Sequence, residues 1–95
     1  MSVQEVLHDK MQVLEYLRTR YPMFHQSNIF YRDVEYGIQS LLRAHNVQVP
    51  LRKAGTIARE FIKSMETEKV FLPVDRQTWT LNYPAFQTPQ TQKGT

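Results

Sequence analysis

One stretch of the chain, residues 51–65, carries side chains that can bind phosphates and base edges. At about 100° per residue, one side of a helix here presents three cations and a hydroxyl, which are Arg52, Thr56, Arg59 and Lys63. Lys53 and Glu60 flank this face. Arginine and lysine donate hydrogen bonds to phosphates and guanine edges, and a threonine hydroxyl can bond to either. This helix is therefore the candidate reading element of the chain, although this face alone does not identify the molecule that it reads.

The opposite side of the same stretch is apolar and predicts a buried helix face. Its members recur at steps of three or four residues, and they are Ala54, Ala58, Phe61, Ile62 and Met65. We therefore expect a helix over residues 51–66 that packs on a core and exposes its cations.

The positive charge of the chain is concentrated near this helix. The formal net charge is +3, with a pI near 9.4. Residues 1–20 are neutral overall, whereas residues 43–63 include Arg43 and four further cations against Glu60 alone. This distribution is an electrostatic footprint for nucleic acid, with Arg43 and Arg76 expected to contact backbone phosphates. A solvated, mildly basic helix face is the alternative interpretation.

The first element that must support this helix is itself a helix, predicted from Val3 to about Arg20. Ser2, with Glu5 three residues later, forms a capping-box pattern, and Pro22 stops the helix. The apolar stripe is wide, so it either packs within its own domain or is shared with a second copy in a homodimer.

The next segment predicts a short strand and a second helix. Residues 29–31 are aromatic and β-branched, as in a strand. A helix to about His45 follows, capped by Asp33 or, six residues earlier, by Ser27. Asn46 accepts the left-handed conformation that ends helices, and Pro50 suits the first position of the next helix.

The end of the domain predicts a β-hairpin. Its strands would be residues 69–72 and the alternating run of residues 78–83, around a loop over residues 73–77. Trp79 should pack near Phe61 or Ile62, and Phe86 could dock on the domain. From Gln87 the composition predicts a disordered tail. We therefore expect one domain over residues 1–86 and a tail over residues 87–95.

The aromatic side chains divide into core and surface. Phe61, Trp79 and Tyr83 match core faces in their spacing, whereas Tyr36 falls off the buried stripe of its helix. Tyr36 is therefore the aromatic residue that we expect to be exposed.

Catalytic and metal-binding patterns are missing from the sequence. The chain has no cysteine, and His8, His25 and His45 show no paired ligand spacing. Neither a phosphate-binding glycine loop nor a nucleophile elbow is present. We expect no enzyme activity, no metal, no cofactor and no small-molecule ligand. The absence of cysteine, of a signal-peptide pattern and of a long apolar run predicts a cytoplasmic protein without a membrane span.

The order helix, short strand, helix, turn, helix, hairpin resembles the winged helix-turn-helix superfamily. Three local runs agree with it: Phe30-Tyr-Arg-Asp-Val34 at the strand-to-helix junction, Thr56-Ile-Ala-Arg59 on the third helix, and Met65-Glu-Thr-Glu-Lys-Val-Phe71 leading into the wing. The resemblance extends roughly from Val3 to Tyr83.

The resemblance implies a mainly α fold with a small β-hairpin, an α+β domain of three helices and a C-terminal wing. It implies a transcriptional regulator or accessory factor that reads DNA with the third helix. The expected DNA-binding residues are Arg43, Arg52, Lys53, Thr56, Arg59, Lys63 and Arg76. The alternative is a winged-helix module that binds proteins through its first helix or its wing.

Overall fold

Residues 3–86 are described by the structure, a computed structural model, and form an α+β domain. Within this part the chain has four helices and a three-stranded antiparallel sheet. The elements are α1 (Val3–Val6), α2 (Lys10–Arg20), β1 (Asn28–Phe30), α3 (Tyr31–Ala44), α4 (Leu51–Thr67), β2 (Phe71–Asp75) and β3 (Thr78–Leu81). The α+β class is confirmed, with one helix more than the three that the sequence predicts.

The prediction of a single first helix is wrong, because the chain breaks between α1 and α2. Asp9 lies in the break with extended backbone, and its carboxylate accepts hydrogen bonds from the backbone N–H groups of Met11 at 3.0 Å and Gln12 at 3.3 Å. An N-cap of this kind satisfies donors that have no partner inside the helix, so it favours a new start over continuation. The predicted capping box includes Ser2, which lies outside the described residues.

The start of α3 also differs from both sequence predictions. The helix begins at Tyr31, so neither Asp33 nor Ser27 caps it, and its N-cap residue Phe30 makes no side-chain cap bond. The Ser27 hydroxyl instead accepts a hydrogen bond from the backbone N–H of Phe24 at 3.0 Å. The start lies between the two predicted positions, because strand pairing holds Phe30 extended opposite Thr78, and the backbone N–H of Tyr31 donates to the Gln77 carbonyl.

Both long helices end in left-handed residues other than glycine. Asn46 has φ of 62° and ends α3, as predicted, while Lys69 has φ of 65° and ends α4. Each is followed by a valine whose N–H donates back to the helix, Val47 to Leu42 and Val70 to Met65. These are Schellman motifs, which satisfy the last helical carbonyls. The sequence predicts Pro50 as the first residue of the third helix, but it is the N-cap residue of α4, which begins at Leu51.

The sheet has the strand order β1-β3-β2, so β3 is central and β2 is an edge. The predicted hairpin exists, but its loop is shorter than expected: β2 continues through Pro73 to Asp75, leaving only Arg76 and Gln77 between the strands. A register irregularity between Pro73 and Asp75 accommodates this extension. The backbone N–H of Asn82 donates to the Val70 carbonyl, so residue 70 is a hydrogen-bonded position opposite β3. Hydrogen-bonded and non-hydrogen-bonded positions alternate along an antiparallel strand, and the Pro73 nitrogen therefore faces the open edge of the sheet.

The core lies between the helices and one face of the sheet. Trp79 and Phe86 are both buried, as predicted, whereas Tyr83 is only half-buried and packs edge-on against the Phe86 ring. Gly37 is buried at the contact between α2 and α3, where Leu17 occupies the space that a Cβ would need. The glycine therefore lets the Leu17 side chain lie directly against the backbone of α3.

Among the described residues, none of the helices combines the length and apolar character that a membrane crossing needs. The predicted disordered tail, residues 87–95, lies outside the described part of the chain.

Candidate functional site

The two faces predicted for α4 are present in the structure. The apolar residues Ala54, Ala58, Phe61, Ile62 and Met65 are all buried. The polar residues are all exposed, and they are Arg52, Lys53, Thr56, Arg59 and Lys63. From Arg52 to Lys63 this exposed face extends about 16 Å along the helix axis, at 1.5 Å per residue.

An open cleft separates α4 from the hairpin formed by β2 and β3, and we call it the α4–hairpin cleft. Three cations line it: Arg59 and Lys63 from α4, and Arg76 from the hairpin turn. The remaining lining residues are Tyr31, Ile62, Glu66 and Trp79. Gln77 joins Tyr31, Arg59 and Arg76 in the adjoining space. The fold therefore brings the predicted hairpin cation to the same site as two of the predicted helix cations.

Arg59 lies over an aromatic ring in this cleft. Its guanidinium carbon is 5.3 Å from the ring centroid of Tyr31, within the range of cation–π attraction. The Tyr31 hydroxyl donates to the Glu35 carboxylate at 3.1 Å and lies 3.4 Å from the Gly55 carbonyl oxygen. Burial, together with the hydrogen bond and negative charge of Glu35, raises the pKa of Tyr31 above its usual value, and the charge of Arg59 partly opposes this. Tyr31 therefore remains a hydrogen-bond donor at neutral pH.

A carboxylate also lines the cleft, and sequence reasoning did not single it out. Glu66 accepts a hydrogen bond of 2.6 Å from the indole N–H of Trp79. The bond joins the end of α4 to β3 and occupies one carboxylate oxygen. The cleft is lined by this one carboxylate and by the three cations Arg59, Lys63 and Arg76, so its formal charge is positive. No spacing in the sequence reveals this pair, because its members meet only when the hairpin packs on the helix.

The predicted cations have no acidic partners within residues 3–86. The ion pairs in this part of the chain join Lys10 to Glu68 and Arg18 to Glu15. The charged groups on α4 and on the hairpin turn are therefore available to an external anion.

Some predicted residues lie outside the cleft. Arg52, Lys53 and Thr56 are exposed on the first two turns of α4, before the part that faces the hairpin. Arg43 is in the last turn of α3, about 18 Å along the helix axis from Tyr31 at its start. The structure thus groups three of the seven predicted residues in the cleft and leaves Arg43 at a separate place.

Glu60 does not share the cleft with the cations. It lines a mainly apolar groove on another side of α4, together with Lys10 from α2 and the α1 residues Val3 and Gln4. Glu60 therefore lines a different part of the surface from the cleft of Arg59 and Lys63, although these residues are close in sequence.

Comparison with models of known protein families, with curated protein sequences and with solved structures finds no match for the chain. In the described residues, no three acidic or histidine side chains are close enough together to hold a metal ion.

Proposed function

We propose that this chain is a winged helix-turn-helix protein that binds double-stranded DNA, as a transcriptional regulator or accessory factor. In this proposal α3 and α4 form the helix-turn-helix, α4 reads the DNA, and β2 and β3 form the wing. The element order supports the proposal, because from α2 to β3 it is helix, strand, helix, turn, helix, hairpin, the order that the sequence resemblance implies.

The observation that carries the DNA-binding proposal is the shared position of Arg59, Lys63 and Arg76 in the α4–hairpin cleft. A helix and an adjacent hairpin that present cations to one space can contact neighbouring phosphates on a duplex. Arg52, Lys53 and Thr56 continue the exposed polar face towards the start of α4. In this arrangement the side chains on α4 reach base edges or phosphates, while Arg76 and Arg43 contact the backbone.

The test is a fluorescence-anisotropy titration with a random-sequence duplex at two salt concentrations. Each phosphate contact releases counterions, so log affinity should fall with log salt by about 0.9 per contact. Arg59→Glu should weaken binding and reduce this slope. The matched control is Arg20→Glu, which makes the same charge change on α2, where the guanidinium lies over the ring of Tyr16.

Both variants should keep their stability within about 0.5 kcal/mol of wild type, because both side chains are exposed. Absence of binding at low salt would refute the proposal. Equal losses in Arg59→Glu and Arg20→Glu would show that net charge alone drives binding, and would remove α4 as the reading element.

A winged-helix module that binds another protein is the second candidate. Its support is apolar exposure on the sheet: Phe30 and Leu72 lie on the outer face, and Val74 lies at the irregularity of β2. Large apolar side chains that are exposed on a sheet can contribute to a protein-binding surface. Absence of binding of the wild-type protein to duplex DNA at low salt would favour this candidate.

We also propose self-association through the N-terminal helices. The α1 residues Val3 and Val6, with Leu7 just after them, pack on the core but are only partly buried within one chain. A second copy would bury them further, and a two-fold dimer suits DNA sites that lie one helical turn apart.

A further inference from the structure

Tyr31 connects three elements around the α4–hairpin cleft. Its backbone N–H donates to the carbonyl of Gln77 in the hairpin turn, and it is the first residue of α3. Its hydroxyl reaches the Gly55 carbonyl of α4 at 3.4 Å. Its ring is therefore held at a defined place between the wing and α4.

The hydroxyl of Tyr31 is anchored by Glu35, one turn further along α3. The hydrogen bond to the Glu35 carboxylate is 3.1 Å long. A hydrogen bond to a charged acceptor is stronger than one between neutral groups, so the ring loses much of its freedom.

Gly55 provides the space for this anchor. A Cβ at position 55 would lie 2.6 Å from the Glu35 carboxylate oxygen and 2.9 Å from the Tyr31 hydroxyl oxygen. Both distances are shorter than van der Waals contact allows. The absence of a side chain at this buried position of α4 is therefore what lets the Tyr31–Glu35 pair pack against the helix.

The anchored ring supports Arg59, whose guanidinium lies 5.3 Å from its centroid. Within residues 3–86, Arg59 makes no ion pair, and its cation–π contact is with Tyr31. Contact with a ring face leaves guanidinium N–H donors available to phosphate or guanine, while it restricts a side chain that otherwise has many rotamers.

We infer that Tyr31 is a positioning residue, which holds Arg59 in the cleft ready to bind DNA. This inference rests on the proposed DNA-binding function. It assigns a role to a residue that does not itself need to contact the nucleic acid, and it makes Glu35 and Gly55 the supports of that role.

The first measurement concerns the free protein. In NMR spectra of wild type, the ring current of Tyr31 should shift the side-chain proton signals of Arg59. Tyr31→Phe keeps the ring but loses the hydroxyl anchor and should keep only part of the shift, whereas Tyr31→Leu should abolish it. Tyr36→Leu removes an exposed tyrosine elsewhere on α3 and is the matched control. An unchanged Arg59 shift in Tyr31→Leu would overturn the inference.

The second measurement is a double-mutant cycle on affinity for a random-sequence duplex, with Tyr31→Leu, Arg59→Gln and the double variant. Tyr31→Leu should weaken binding about two- to fivefold, as expected for loss of an exposed cation–π contact. The same change in the Arg59→Gln background should have no further effect. Tyr31→Phe keeps the ring but loses its anchor, so its affinity should lie between those of wild type and Tyr31→Leu.

The two possible failures are distinguishable. If wild type binds no duplex, the proposed function fails and this inference fails with it, while the Arg59 ring-current shift is still present. If wild type binds but Tyr31→Leu has the same effect with and without Arg59, only the positioning role is overturned. Gly55→Ala tests the positioning role in a second way, because it should displace the tyrosine anchor while both Tyr31 and Arg59 remain. It should therefore reduce both the Arg59 ring-current shift and the affinity for duplex.

Discussion

The indole N–H of Trp79 donates a 2.6 Å hydrogen bond to the carboxylate of Glu66, across the gap between β3 and the last turn of α4. Trp79 is only 6% exposed, and the Glu66 carboxylate accepts the hydrogen bond of its indole N–H. The bond fixes the hairpin relative to α4, and with it the distance between Arg76 and the cations on the helix.

Loss of this acceptor should destabilise the domain. Glu66→Ala should lower the free energy of unfolding by about 1–2 kcal/mol, because the partly buried indole N–H loses its acceptor. Glu66→Gln retains an amide oxygen as acceptor and should lose less than half as much. Urea unfolding followed by fluorescence is suitable, since Trp79 is the one tryptophan of the chain. Equal losses in the two variants would show that the hydrogen bond contributes little.

Lys69→Gly should stabilise the protein. Lys69 has φ of 65°, a conformation that costs residues with a Cβ about 1–2 kcal/mol. Glycine adopts it without this cost but loses more entropy on folding, so the net gain should be about 0.5–1 kcal/mol. Lys69→Ala removes the same charge and keeps the Cβ, so it should give no gain in melting temperature. Similar melting temperatures for the two variants would contradict the explanation.

Gly37→Ala should destabilise the protein by about 1–2 kcal/mol, although alanine is the better helix former. The added methyl group would overlap the end of the Leu17 side chain, which is 1% exposed and would have to shift within the core. In a Leu17→Val background the overlapping atom is absent, so the same change should be neutral or stabilising. Chemical denaturation of the four proteins completes the cycle, and additive effects would argue against the overlap.

The proposed homodimer predicts a particle of twice the 11.3 kDa chain mass in light scattering at micromolar concentration. Leu7→Glu should give a monomer, because it places a charge in the partly buried N-terminal apolar surface. Leu72→Glu makes the same change on an exposed residue of β2 and should leave the dimer intact. A wild-type monomer at high concentration, or dissociation by both variants alike, would remove the N-terminal helices as the interface.

The features predicted correctly from the sequence are those decided by local pattern. The two faces of α4 follow from helical periodicity. The end of α3 follows from the tolerance of Asn46 for positive φ. Tyr36 is 45% exposed because it lies off the buried stripe of α3.

The errors arise where one local preference overrides another. The apolar spacing continues across Asp9, yet the capping carboxylate starts a new helix there. Pro73 suggested a loop, yet proline fits an edge strand whose nitrogen faces outward.

The roles of Tyr31 and Glu66 could not be predicted, because they depend on contacts between distant parts of the chain. Tyr31 requires Gln77 and Gly55 beside it, and Glu66 requires Trp79. Whether Arg43 belongs with the other cations was equally undecided by sequence, since separation along the chain does not give separation in space.

Strand β2 exposes Leu72 and Val74 at an open sheet edge, a combination that ordinarily invites fibril growth. Pro73, between these two residues, withholds the N–H that an incoming strand would need, and the irregularity after it disturbs the spacing of the other backbone groups. Stacking of molecules edge to edge into a continuous cross-β ribbon is therefore disfavoured at this strand. The sheet can keep apolar side chains on its surface without becoming a template for its own aggregation.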